Sequence, residues 1–194
     1  MAKNKVKYNL KNVHYAPLTE TESEGKTTFS YGTPEPIPGA VSIGLDAEGE
    51  NSPFYADGIV YYMAAANNGY SGDLEIALVP ESFRTDILQE TLDKNKVLVE
   101  RADITTVKRF ALLFEFDGDV NAIRHVLYNC AATRPSLESE TKEDTVEPGT
   151  ETLSLTAPAR SDGLVKCRTG DTTDTTVYDN WYKTVYVPST AEAG

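Results

Sequence analysis

The sequence predicts a mainly β protein with two packed antiparallel sheets, a sandwich or partial barrel, and one flanking α-helix. Apolar and polar residues alternate along almost the whole chain, which is typical of strands with one buried face. Turn-forming residues separate these stretches, and only one segment has helical spacing. With 194 residues, 40% hydrophobic and 25% charged, the chain is large enough for one well-packed domain.

The first third of the chain predicts three strands. Val6 to Leu10, Thr27 to Tyr31 and Val41 to Leu45 each alternate apolar with polar or small residues. A polar loop at 19–25 and a proline-stiffened connector at 34–39 separate them.

The middle of the chain predicts a hairpin. The segment 59–66 is apolar at nearly every position, and the turn signal Asn67-Asn68-Gly69 leads to a second alternating stretch at 74–78. A strand that is apolar on both faces is either central in a sandwich or covered by another subunit, and the sequence leaves both interpretations open.

One helix is predicted from Glu81 to Glu90. Phe83, Ile87 and Leu88 share a face, and Pro80 and Glu81 suit a helix start.

The second half returns to strands. Val97 to Val99, Phe110 to Phe116 and a partner at 123–132 are predicted, the last two as a hairpin whose turn includes Asp117-Gly118. Two short strands follow, at 153–155 and 165–167.

An acidic stretch and an aromatic carboxy-terminal segment interrupt or follow these strands. The candidate acidic loop or lumen consists of Glu138, Glu140, Glu143 and Asp144. The segment 172–188 is predicted to dock on a neighbour, since exposed aromatic clusters usually mark contact surfaces. We therefore divide the chain into a β domain at 1–157, with an amino-terminal arm, and a carboxy-terminal strand or arm at 158–194.

The formal net charge of −12 argues against tight nucleic-acid binding, which depends on lysine and arginine. A surface of like charge would instead repel a DNA duplex and let it pass. The longest apolar stretch is too short to span a bilayer, and the charged amino terminus lacks the apolar core of a signal peptide. Synthesis in a cytoplasm, without a membrane partner, is the expectation.

No catalytic residue, cofactor or metal site is predicted. His14 and His125 lack a metal-ligand spacing, Cys130 and Cys167 lack a Cys-x-x-Cys pattern, and no Gly-x-Ser-x-Gly motif occurs. The abundant carboxylates leave a glycosidase-like pair open. The 11 tyrosines suit either a sugar-binding platform or a self-assembling surface.

A series of short segments occurs in a fixed order along the chain. The segments are Leu10-Lys-Asn-Val-His-Tyr-Ala16, Pro36-Ile-Pro-Gly-Ala-Val-Ser42, Phe54-Tyr-Ala-Asp-Gly58, Asn68-Gly-Tyr-Ser-Gly-Asp-Leu-Glu75, Pro80-Glu-Ser-Phe-Arg84, Phe110-Ala-Leu-Leu-Phe-Glu-Phe116, Arg124-His-Val-Leu-Tyr-Asn-Cys130 and Thr141-Lys-Glu-Asp144. In their order and spacing, these segments resemble the major tail protein family of long-tailed phages of Gram-positive bacteria, and the resemblance covers about residues 4–157.

This resemblance implies a structural virion protein of the phage tail tube fold, located in the virion tail. Six subunits would form a ring, and stacked rings would form the tube through which the genome passes without specific binding. The implied partners are other copies of the chain and the tape measure, tail terminator and distal tail proteins. The segment 45–58 is the candidate ring-stacking loop, and the helix should pack on the outside of the sandwich. The candidate contacts between subunits are Phe54, Tyr55, Asp57, Tyr61, Tyr62, Trp181, Tyr182 and Tyr186.

Three other interpretations remain. The tyrosines and the β content fit a carbohydrate-binding β-sandwich of a phage or bacterial surface protein. A glycan-degrading enzyme has only the number of carboxylates in its favour. A tube subunit with an added display domain would need more residues after 157 than the chain has.

Overall fold

The computed structural model describes residues 3–139, 141 and 148–189. In chain order the elements are β1 (Lys7–Ser23), β2 (Lys26–Tyr31), β3 (Glu35–Pro36), β4 (Ala40–Glu48), β5 (Ser52–Ala56), β6 (Ile59–Ala64), β7 (Gly69–Ile76), α1 (Glu81–Asp86), β8 (Thr91–Leu92), β9 (Leu98–Val99), β10 (Phe110–Gly118), β11 (Ile123–Ala132), β12 (Glu151–Ala157), β13 (Lys166–Arg168) and α2 (Thr175–Asp179). The mainly β prediction is confirmed.

Most strands belong to one antiparallel sheet in the order β2-β1-β10-β11-β12-β7-β4. Strand β11 forms the corner of the sheet, because it pairs with β10 from Ile123 to Cys130 but with β12 only at Ala131 and Ala132. The two halves of the sheet therefore face each other across one core. Phe110 and Leu112 from one half meet Leu74 and Leu153 from the other, all fully buried.

Helix α1 closes one side of this core. Phe83 is fully buried and lies edge-on to Tyr15 and Phe110, with ring centroids 5.0 Å and 5.4 Å away. The helix ends at Asp86 and not at Glu90 as predicted, because Gln89 has a φ of 62° and turns the chain out of the helix.

A second, smaller core covers the opposite face of β1, β10 and β11. Ala111, Leu113 and Tyr128 point to this side and are covered by Trp181, which follows α2. Asp174 caps α2, since its carboxylate accepts from the backbone N–H of Thr176 at 2.8 Å. This second helix was not predicted.

The predicted hairpin of 59–66 with 74–78 is wrong. Strand β6 pairs with β5, and β7 pairs with β4 on one edge and β12 on the other. The turn is formed by Asp57 and Gly58, with φ of 52° and 76°, and Asn68 instead donates its backbone N–H to Glu48 at 2.9 Å. The hairpin of β10 and β11 is confirmed, with its turn just after Gly118.

Candidate functional site

Two hairpins extend from the curled sheet, and among the described residues their strands pair with each other, apart from the Leu18 N–H, which donates to the Arg109 carbonyl at 2.8 Å. We call residues 18–31 of β1 and β2 the polar arm, and residues 52–64 of β5 and β6 the apolar arm. The apolar arm forms a separate two-stranded sheet, joined to the rest at the pair Glu48 and Gly69.

The apolar arm exposes seven large apolar side chains within 13 residues. Phe54 is 61% and Tyr61 is 70% exposed, and the remaining five are Tyr55, Ile59, Val60, Tyr62 and Met63. Single exposed apolar residues are ordinary on protein surfaces, but a contiguous group of this size marks a contact surface.

Both faces of the apolar arm are apolar. Phe54 lies opposite Tyr62 on one face, and Pro53 lies opposite Met63 on the other. Both outer edges of the arm also have unpaired backbone groups within the described residues. An arm of this composition is suited to insertion between other surfaces and not to lying on its own domain.

A second feature is the outward face of β4, β7 and β12, which we call the acidic face. Its carboxylates are Asp46, Glu48, Asp73 and Glu75, and hydroxyl residues fill most of the other outward positions of the three strands. The alternation that sends Leu74 and Ile76 into the core sends Asp73 and Glu75 outward.

Hydroxyl groups hold these carboxylates in place. Ser154 Oγ donates to Asp73 at 2.7 Å, and Ser71 donates to Glu48. Glu75 accepts from Thr150 Oγ1 at 2.7 Å and from Ser42 Oγ at 2.9 Å, and these bonds lower the pKa of Glu75. Glu75 is therefore ionised at neutral pH.

Five of the predicted contact residues lie together. Phe54, Tyr55, Asp57, Tyr61 and Tyr62 are all on the apolar arm. The predicted stacking loop 45–58 does not coincide with this arm, because residues 45–48 belong to β4 and pair with β7, whereas the projecting part continues to 64.

The predicted carboxy-terminal contacts separate from this group. Trp181 is 2% exposed in the second core of its own chain, and its indole N–H donates to the His125 carbonyl at 3.4 Å. The Tyr182 hydroxyl donates to Glu115 at 3.1 Å. Tyr186 stacks on Trp181 with ring centroids 5.7 Å apart and stays partly exposed. Of the predicted contact residues, those on the apolar arm and Tyr186 therefore remain exposed for contact between subunits.

A buried ion pair fastens this carboxy-terminal segment. Arg124 Nε donates to Glu115 at 2.9 Å, and its guanidinium lies 3.7 Å from the centroid of the Tyr178 ring. No feature of the sequence around Arg124 indicated whether the aromatic segment packs on its own chain or on another.

The predicted acidic loop lies mostly outside the described residues, namely at Glu140, Glu143 and Asp144. Glu138 is described and exposed. The acidic face, and not this loop, is the carboxylate surface that the described residues form.

Cys130 is buried, which raises the pKa of its thiol to about 12, so it is a thiol at neutral pH. Across residues 3–139, 141 and 148–189, no three His, Cys, Asp or Glu side chains converge as a metal site. In the same residues, no helix combines the length and the apolar character needed to cross a bilayer.

Comparison with known proteins gives a fold-level likeness. The chain matches no family profile and no curated protein sequence. A solved structure that it does match is a chain of the six-fold symmetrised cryo-EM structure of the anti-feeding prophage baseplate. The identity is 13% and the TM-score 0.48, over 89% of this chain and 99% of that chain. A likeness at this level assigns neither a family nor a function.

Proposed function

We propose that this protein is a structural subunit that assembles with copies of itself into hexameric rings, stacked as the tail tube of a phage. The observation that carries the proposal is the apolar arm, because seven exposed large apolar side chains on a two-stranded hairpin need another surface to cover them. The sequence resemblance to phage major tail proteins supports the particular assembly. The role is structural, and no catalytic step is part of it.

The energy available from the arm suits assembly. Covering the exposed parts of seven large apolar side chains contributes on the order of 10 kcal/mol per arm before the costs of association. That gross value is comparable with the cost of bringing two proteins together, so a single arm contact is weak. Repeated contacts in a ring and between rings make the assembly stable.

The sheet edges support a ring. Strands β2 and β4 are the two ends of the main sheet, and within the described residues each has one unpaired edge. Pairing of edges between copies would satisfy these backbone groups, and a closed ring would leave none of them open.

The acidic face supports a role as a conduit. In the proposed ring it lines the lumen, where four carboxylate residues per subunit repel the DNA phosphates and prevent adhesion. The hypothesis is motivated by the absence of any Lys or Arg among the outward residues of β4, β7 and β12. A tube structure with this face turned to the outside would overturn it.

A carbohydrate-binding function has one observation in its favour, the exposed Tyr55, Tyr61 and Tyr62. Sugar platforms, however, need aromatic rings on a supported surface, whereas the register places apolar side chains on both faces of a free hairpin. Binding of the dispersed protein to cell-wall glycans, lost in Tyr61→Ser and Tyr62→Ser, would favour this alternative.

The test is negative-stain electron microscopy of the purified protein at rising concentration. We expect rings or tubes with a central hole, and a monomer at high dilution. Dispersed particles at every concentration, together with glycan binding, would contradict the proposed function.

A further inference from the structure

A pocket opens beside the root of the apolar arm, where the two halves of the sheet face each other. Its volume is about 220 Å³. Ile43 and Leu45 of β4 and Phe114 and Phe116 of β10 form an apolar floor, and Tyr70 closes the side next to the arm. We call it the root pocket.

The rim of the root pocket is positively charged in a chain with a net charge of −12. Lys166 lies 4.1 Å from the Tyr70 ring centroid, and Lys7 lies 5.1 Å from that of Phe116. Arg168 lies outside the lining of the pocket and is paired with His125 in the register of β13 with β11. Among the described residues, none of these three cations forms an ion pair with a carboxylate.

His125 in the pocket wall shows the effect of this environment. Its ring stacks on Phe114 with centroids 5.1 Å apart, and its Nε2 is buried without a hydrogen-bond partner in the described part of the chain. Burial, followed by Lys166, Arg168 and Lys7, lowers the pKa of His125 to about 4. The imidazole is therefore neutral at neutral pH, and the positive charge belongs to the rim.

The tip of the apolar arm has the complementary composition. Between Gly49 and Asn68 the only charged residues are Glu50 and Asp57, and no Lys or Arg occurs. Asp57 is at the turn itself and Ile59 follows it with 64% of its surface exposed. The Asp57 carboxylate and the adjacent Ile59 side chain are therefore complementary to the lysines at the rim and the apolar floor of the root pocket.

The tip of an arm cannot reach the root pocket of its own chain while the hairpin is intact. Five paired residues place the tip roughly 17 Å from the end of the arm that joins the sheet. The pocket lies at that joined end, since Tyr70 follows the Glu48 and Gly69 pair. A tip that enters the root pocket therefore belongs to another copy, and such a head-to-tail contact can repeat around a ring.

Resting on the self-assembly proposed above, we propose that the Asp57–Ile59 tip of one copy docks in the root pocket of a second copy. The Asp57 carboxylate then pairs with Lys7 and Lys166, and Ile59 covers the apolar floor.

The test combines charge removal with cross-linking of assembled protein. Asp57→Asn keeps a side chain that tolerates positive φ and removes the charge. We expect Asp57→Asn and Lys166→Gln each to raise the concentration needed for assembly about 10-fold, the size expected for one partly buried charge contact. The double variant should cost no more than Asp57→Asn alone, because Asp57→Asn already removes the contact with Lys166.

Two matched variants serve as controls. Glu50→Gln removes the other charge between Gly49 and Asn68, and Lys26→Gln removes an exposed lysine at the tip of the polar arm. We expect less than a twofold effect from each. Thermal unfolding of dilute protein confirms that all variants fold.

A carbodiimide links adjacent carboxylates and amines, and a mixture of ¹⁴N and ¹⁵N protein separates links between copies from links within one. We expect mixed-isotope peptides that join Asp57 to Lys7 or Lys166. Wild-type assembly that is unaffected by Asp57→Asn and yields no such link would overturn this inference alone. Failure of the wild-type chain to assemble would instead count against the proposed function.

Discussion

The polar arm and the apolar arm both end in a two-residue turn with positive φ at both positions, Glu24-Gly25 in one and Asp57-Gly58 in the other. The polar arm alternates threonine with glutamate along β1, and its root is fixed to the domain. Arg160 lies 4.1 Å from the Phe29 ring centroid and donates to the Tyr31 hydroxyl at 3.1 Å.

The apolar arm has no comparable attachment in the described residues, and aromatic and β-branched residues replace the glutamates. The same backbone design therefore serves two environments. Water solvates the polar arm, whereas the apolar arm is complete only when another molecule covers it. The following predictions test this difference, from the largest expected effect to the smallest.

Replacing the cross-strand pair Phe54 and Tyr62 of the apolar arm should weaken assembly more than any other change. Phe54→Ser with Tyr62→Ser removes two large exposed side chains that face each other. We expect the concentration needed for assembly to rise at least about 100-fold, since roughly 3 kcal/mol of apolar burial is lost per contact. Light scattering and electron microscopy measure it.

The matched control is Thr21→Ser with Thr28→Ser, a cross-strand pair of the polar arm. Assembly should change less than twofold. Equal effects of the two double variants on assembly would contradict the proposed difference between the apolar arm and the polar arm.

Removing the anchor of the polar arm should destabilise the monomer. Arg160→Met leaves Asp162 without its partner and the Tyr31 hydroxyl without a donor. We expect the free energy of unfolding to fall by about 2–3 kcal/mol in denaturant titration. Tyr61→Ser on the apolar arm should change it by less than about 0.5 kcal/mol, because its side chain is exposed. A large loss from Tyr61→Ser would show that the apolar arm packs on its own domain.

His125, in the wall of the root pocket, should make the stability of the folded chain depend on pH. The pKa of His125 is about 4 in the folded chain, below its ordinary value of 6.5, so the unfolded chain takes up a proton first as the pH falls. Its contribution to stability is present above pH 6.5 and is lost between pH 6.5 and 4. We expect a loss on the order of 1–3 kcal/mol in this window.

His125→Phe keeps the stacking on Phe114 and should flatten the dependence of unfolding free energy on pH across that window. An unchanged slope in His125→Phe would show that carboxylates alone cause the acid sensitivity.

The turns should give the smallest effects. Gly25 and Gly58 both have positive φ and open space around the added methyl group, so alanine causes backbone strain alone. We expect Gly25→Ala and Gly58→Ala each to cost about 1 kcal/mol of local hairpin stability. Only Gly58→Ala should weaken assembly, about fivefold, and equal weakening by both would contradict the distinct roles of the arms.

The sequence predicted the elements whose alternation has one buried face. The hairpin of β10 and β11 is an example, because Leu112 and Leu127 lie opposite each other and both point into the core. The paired strands around the apolar arm were assigned wrongly, since Asn-Gly and Asp-Gly are both turn signals and the sequence does not rank them. Asp57-Gly58, two residues after Tyr55, was the signal that could have identified the arm.

The candidate site was predicted only in part. Asp73 and Glu75 alternate with buried residues, and this period-two spacing could have indicated the acidic face. The acidic surface was predicted instead in the longer acidic run at 138–147. The burial of Trp181 in its own chain was not predictable from the residues next to it in the sequence. An aromatic segment has the same composition whether it packs on its own chain or on another, and the partner Arg124 is distant in sequence.

Amide hydrogen exchange of the two arms in dilute and in concentrated protein tests the central claim most directly. We predict that residues 52–64 exchange rapidly when dilute and become strongly protected on assembly, while residues 19–30 change little. Assembly that leaves 52–64 as exposed as in the monomer would contradict the account.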